Sequence, residues 1–156
     1  MQFLTLNSHV FFSLGGQTIS SIFGFKFGNA VDYMDDQKKA EMRKNLGQLK
    51  LLIIDEISLV GANMLYRIHM RLSDIFQTDE EQVPFGGINV MLVGDLLQLP
   101  AIKQSQVFQS PEDEHCQGLQ KVKPLWNEFK PMIEGAGPSG GGLGRTWKLH
   151  ASSQSA

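Results

Sequence analysis

Cysteine is almost absent from this sequence: Cys116 is the only one in 156 residues. An internal disulfide is therefore excluded, which suits a reducing compartment. A lone thiol with no partner motif beside it reads as chemically inert. Long apolar runs are missing too; none approaches the roughly 18–20 residues that a membrane-spanning helix needs. The amino terminus has no basic stretch followed by an extended apolar one, so no signal peptide is read there. The chain is expected in the nucleus or cytoplasm, not secreted, with no membrane partner. Charge of one sign is also lacking: the formal net charge is −2, so no global basic field announces a nucleic-acid binder. One local basic group, Lys38, Lys39, Arg43, Lys44 and Lys50, reads as a solvated helix face. No internal repeat is present.

What remains is the composition of one globular domain with a real core. Gln2–Leu6 has the pattern of a short strand, and Gly15-Gly16 breaks the apolar stretch that follows. Phe23, Phe25 and Phe27 alternate with Gly24 and Lys26, which suggests extended chain, its aromatics serving core packing ahead of base stacking. Residues 34–48 are rich in helix formers and read as an exposed helix. Leu51–Ile54 is a short, wholly apolar run of the kind that forms a buried strand of a parallel sheet. Met64, Leu65, Ile68, Leu72, Ile75 and Phe76 recur at helical spacing and define an amphipathic helix over 62–76. His69 has no metal-ligand partner four residues on and is not read as a metal ligand. Pro84-Phe85-Gly86-Gly87 is a turn. Residues 88–93 form a second buried strand, and 122–129 a further short helix. From Gly135 onward glycine and serine dominate, too polar to offset the cost of ordering, so 135–156 is read as a disordered tail behind a domain of residues 1–134.

Two segments carry chemistry. In Leu51-Leu52-Ile53-Ile54-Asp55-Glu56-Ile57-Ser58 a buried strand ends in adjacent carboxylates, at the strand edge where ligands of open α/β sheets sit. Such a pair suits magnesium, a hard cation that prefers oxygen ligands, and a water to be deprotonated. In Val90-Met91-Leu92-Val93-Gly94-Asp95-Leu96-Leu97-Gln98-Leu99-Pro100 a second buried strand ends in polar groups. Gly94 permits close approach of backbone to a ligand, Asp95 adds a carboxylate, and Gln98 both donates and accepts hydrogen bonds. Taken singly, the first is also the product of chance and the second a capped tight turn.

In order, with the amphipathic helix and Phe85-Gly86-Gly87 between them, the two segments resemble motifs II and III of superfamily-one DNA helicases of the petite-integration-frequency (Pif) type, including those fused into Helitron-like transposons. Gly15-Gly16-Gln17-Thr18-Ile19-Ser20-Ser21 resembles the segment after that family's motif Ia, and Trp126 and Phe129 resemble its Trp-x-x-Phe late in the first motor domain. The likeness covers about residues 7–134. It implies a RecA-like α/β fold, a parallel sheet flanked by helices. It also implies ATP hydrolysis with Mg²⁺ and 5′-to-3′ movement on single-stranded DNA. On this likeness Asp55 binds Mg²⁺, directly or through water, and Glu56 activates the attacking water. Gln98 couples the γ-phosphate to DNA contacts, and Gly94 and Asp95 line the nucleotide site.

The sequence departs from the family at defined places. The P-loop, G-x-x-x-x-G-K-[ST], whose amides and lysine cradle phosphates, is found nowhere in it. The family's Thr-Gly-x-Ala-Ala element stands as Asn7-Ser8-His9-Val10-Phe11, and Ser20 stands where a histidine is usual. After Met132-Ile133-Glu134 the glycine-rich segment replaces the path toward a second RecA-like domain, and Arg145 lies there without an arginine-finger motif. The expectation is an incomplete sheet, lacking its first strand and P-loop, with an exposed edge and poor solubility. The chain would be a helicase fragment inactive alone, completed by missing helicase parts in trans or representing a longer protein. The alternative is a non-catalytic remnant that binds protein or single-stranded DNA. A regulatory ATPase of another class fits Gly94–Pro100 less well.

Overall fold

A computed structural model describes residues 2–5, 17–25, 34–96, 105–108, 125–132 and 145–149. Their frame is one six-stranded sheet. Strands β1 (Gln2–Thr5), β2 (Gln17–Thr18), β3 (Leu51–Ile54), β4 (Asn89–Gly94), β5 (Lys130–Met132) and β6 (Arg145–Leu149) lie in the spatial order β2-β1-β3-β4-β6-β5. The first four in that order are mutually parallel; β6 runs antiparallel to both β4 and β5. The expected parallel α/β sheet is thus present from β2 to β4. The carboxyl ends of β3 and β4 reach the same edge, with Ile54 opposite Leu92.

Leu51–Ile54 and Asn89–Gly94 take the strand positions their apolar runs suggest. Leu52, Ile54, Val90 and Leu92 have no exposed surface, and each such side chain contributes about 1.5–3 kcal/mol by leaving water. Helices α1 (Ile19–Phe23), α2 (Asp36–Leu46) and α3 (Ala62–Phe76) accompany the sheet. Thr18 caps α1 by accepting from the Ser21 amide at 3.2 Å, and Asp35 caps α2 by accepting from the Lys38 amide at 2.7 Å. Helix α3 spans the residues its periodicity marks, and Leu65, Ile68, Leu72 and Ile75 are fully buried.

The basic group on α2 has a structural use. Lys39 Nζ lies 3.0 Å from Asp74 Oδ1, and Arg43 Nε donates to the Ile75 carbonyl at 2.8 Å. Two of the five cations therefore tie α2 to the carboxyl end of α3, where positive charge and N–H donors meet carbonyls left over by the helix.

Two expectations are corrected. Phe23 ends a helix and is not extended chain: the left-handed Gly24 (φ +63°) stops α1 and returns the chain so that Phe23 and Phe25 both enter the core, with ring centroids 5.5 Å apart. Phe27 lies outside the described residues. Within the segment read as a disordered tail, Arg145–Leu149 is a strand with neighbours on both sides. Thr146 and Trp147 are strand-favouring residue types, and pairing with two strands supplies the ordering energy that composition alone does not show. β4 thus has a neighbour on each side, β3 and β6.

Candidate functional site

Asp55 and Glu56 leave the sheet directly after β3, both half-buried. Glu56 holds a left-handed backbone, φ 55° and ψ 48°. For a residue with a Cβ this costs about 1–3 kcal/mol, and such strain concentrates at functional turns. The turn is closed by a short 3-10 segment, Ile57–Leu59, in which the Leu59 amide donates to the Glu56 carbonyl at 2.9 Å. Ile57 is fully buried and Ser58 nearly so. The apolar residue after the carboxylate pair thus anchors the turn while the carboxylates stay at the sheet edge.

Gly94 brings the second segment against the first. Its φ is +141°, and a Cβ placed on it would lie 2.9 Å from the Ile57 amide nitrogen and 3.3 Å from Glu56 Cα. Two backbones therefore touch where β3 and β4 end, and only glycine fits. Asp95, half-buried, follows at once. Asp55, Glu56, Gly94 and Asp95 are gathered at the same edge of the sheet; Gln98 lies outside the described residues.

Among the described residues no group of three or more His, Cys, Asp or Glu side chains forms a metal cage. That suits magnesium in one way only. The ion is commonly held by one or two carboxylates together with substrate phosphates and waters, not by an all-protein shell. Asp55 offers such a carboxylate, so the donor set fits an ion that arrives with a nucleotide.

The turn Pro84–Gly87 packs against α3. Phe85 is fully buried with φ 51°, and its amide donates to His69 Nδ1 at 2.9 Å. His69 is 3% exposed. It therefore serves as a buried acceptor for the Phe85 amide, a role that the expectation of a non-ligand histidine leaves open. Its place in the apolar stripe, four residues after Leu65 and three before Leu72, was the available signal. The Trp-x-x-Phe pair also finds a physical use. Phe129 meets Phe85 edge-to-face at 5.7 Å and Trp126 at 6.0 Å, which fixes β5 to the core. Nearby, the Arg67 guanidinium lies 4.5 Å from the centre of the Phe25 ring, a cation–π contact.

A sheet whose parallel strands end in Asp-Glu and Gly-Asp at one edge sets carboxylates where ligands of open α/β sheets sit. The comparisons supply the class. The family model described as PIF1-like helicase matches residues 10–135. The chain is 35% identical over 108 residues to the ATP-dependent DNA helicase RRM3 of Saccharomyces cerevisiae, covering 66% of this chain and 13% of that protein. It is 33% identical over 94 residues to the ATP-dependent DNA helicase PIF1 of Xenopus laevis, covering 59% and 14%. Among solved structures, Bacteroides Pif1 bound to single-stranded DNA superposes with a TM-score of 0.56 at 28% identity, covering 82% of this chain and 26% of that one. Bacteroides Pif1 in complex with ADP-AlF3 and single-stranded DNA gives 0.56 at 33% identity, covering 67% and 24%. The chain belongs to the PIF1-like helicase family and has a partial RecA-like fold. It spans about one eighth of the length of the curated relatives it matches.

Proposed function

We propose that this chain is the carboxylate-bearing part of the first motor domain of an ATP-dependent 5′-to-3′ DNA helicase, and that it does not turn over ATP alone. The observation that carries the reading is the contact of Gly94 with the Glu56–Ile57 backbone, which holds both carboxylate-bearing turns together. In this reading Asp55 ligates Mg²⁺, directly or through water, as the ion arrives with ATP. Glu56, set at the sheet edge by its left-handed turn, orients and deprotonates the attacking water. Gly94 and Asp95 border the nucleotide, and Gln98 passes the state of the γ-phosphate to bound single-stranded DNA. DNA repair, recombination and telomere maintenance follow by family analogy, as does residence in the nucleus or cytoplasm. Among the described residues no helix is long and apolar enough to cross a membrane.

The lack of a P-loop sets the limit on activity. Carboxylates repel phosphates unless a cation intervenes, and the family's cradle of amides and lysine has no counterpart in this sequence. Hydrolysis then requires helicase parts beyond this sequence, supplied in trans or by a longer chain. That same lack favours, for the isolated chain, the second reading of a non-catalytic remnant that binds protein or single-stranded DNA. The test is Mg²⁺-ATP hydrolysis by the full chain, with and without single-stranded DNA, beside Glu56→Gln. The expected result is no turnover above the Glu56→Gln background in a chain shown to be folded. DNA-stimulated turnover that Glu56→Gln abolishes would overturn the claim of inactivity.

A further inference from the structure

The order of the strands contains a substitution. β4 and β5 point the same way, do not touch, and both fall within the stretch that matches the family. Between them lies β6, reversed in direction and drawn from outside that stretch. In a parallel sheet the place between two like-directed strands belongs to a third of the same direction. One strand of that kind is owed to the family and absent from the sequence: the strand that opens a strand–P-loop–helix unit.

We propose that residues Arg145–Leu149 occupy, in reverse, the sheet position of that missing strand, so that the chain completes its own sheet and closes it to a phosphate loop. The pairing is substantial. All five residues of β6 are in register with β4, from Val90 opposite Leu149 to Gly94 opposite Arg145, and three are in register with β5. β4 is thereby relieved of an unpaired edge, the surface most prone to bind another chain. Pro131 is accommodated because β5 is the outermost strand, where a missing amide costs no ladder bond.

Direction decides the chemical consequence. A P-loop strand leaves the sheet at the carboxyl edge of its neighbours, so that the following helix aims its amino terminus at phosphates. β6 instead enters at that edge, with Arg145 opposite Gly94, and leaves at the opposite edge. No strand-to-helix turn faces Asp55 and Glu56 from this position. A phosphate loop from any source must first displace β6 to take this position. The inference holds whether or not Asp55 and Glu56 act as assigned above.

The test uses the full chain with Cys116→Ser as background. Val93→Cys with Thr146→Cys places two thiols at directly opposed positions, within the separation a disulfide spans. Val93→Cys with Lys148→Cys, offset by two residues, is the control. Under mild oxidation the opposed pair is expected to form an intramolecular disulfide about tenfold faster than the offset pair. Equal rates would overturn the proposal. A disulfide only between molecules would overturn it too, since β6 would then complete the sheet of a second copy. As a further measurement, Thr146→Pro puts proline in a central strand. It is expected to remove amide-exchange protection from those amides of Val90–Val93 that face β6, while the amides facing β3 and those of Leu52–Ile54 stay protected; unchanged protection throughout Val90–Val93 would count against the proposal.

Discussion

Phe85→Ala is expected to lower stability by about 3–5 kcal/mol, the range for removing a buried aromatic side chain. Phe85 is fully enclosed and touches both His69 and Phe129 at ring distance. Its loss leaves a cavity between α3 and the segment that leads into β5. Alanine also inherits the left-handed backbone at this position without the packing that holds it there. With total stabilities of domains at about 5–15 kcal/mol, such a loss consumes a large share. Urea unfolding followed by tryptophan fluorescence measures it. A midpoint within error of the parent chain would show that this turn does not hold the core.

Gly94→Val is the second large effect, and it acts on the site. The added Cβ meets backbone, not a flexible side chain, at 2.9 Å from the Ile57 nitrogen. Overpacking of this kind costs about 1–3 kcal/mol, and the positive φ adds about as much again for a β-branched residue. The turn bearing Asp55 and Glu56 must move or β4 must shorten. A loss of roughly 2–6 kcal/mol in the same denaturation experiment is expected. Backbone amide shifts in a nuclear magnetic resonance spectrum should centre on residues 55–58. A variant as stable as the parent, with those amides unmoved, would contradict the contact on which the site reading depends.

How much of this was legible in the sequence follows from where the determining interactions lie. Helix α3 was readable to the residue, because its stripe from Met64 to Phe76 repeats at 3.6 and one face meets the core. β3 and β4 were readable because the apolar runs Leu51–Ile54 and Val90–Val93 suit strands covered on both faces. The carboxylate pair and Gly94 were readable as an ordered pair of motifs. Their mutual contact was not, since it joins positions about 38 residues apart through a backbone approach that leaves only a glycine as its trace. The role of His69 was not legible, because its partner is a main-chain amide sixteen residues on. β6 was missed for a different reason. Its five residues stand among glycines and serines, and their stabilisation comes from neighbours at Val90–Gly94 and Lys130–Met132. Local composition carries no record of an open place in a sheet. Phe23 shows the converse error: alternation with glycine imitated a strand, whereas Thr18 capping and the left-handed Gly24 bound a helix there.

The central claim is that the carboxylates of a helicase motor are in place in this chain while the means of gripping phosphate is not. Calorimetric titration of the full chain with Mg²⁺-ATP, beside Asp55→Asn, tests it most directly. The account predicts no saturable binding tighter than about 1 mM, near −4 kcal/mol, with no difference between the two proteins at lower concentrations. Binding at about 1 μM, some 4 kcal/mol stronger, that Asp55→Asn abolishes would contradict it.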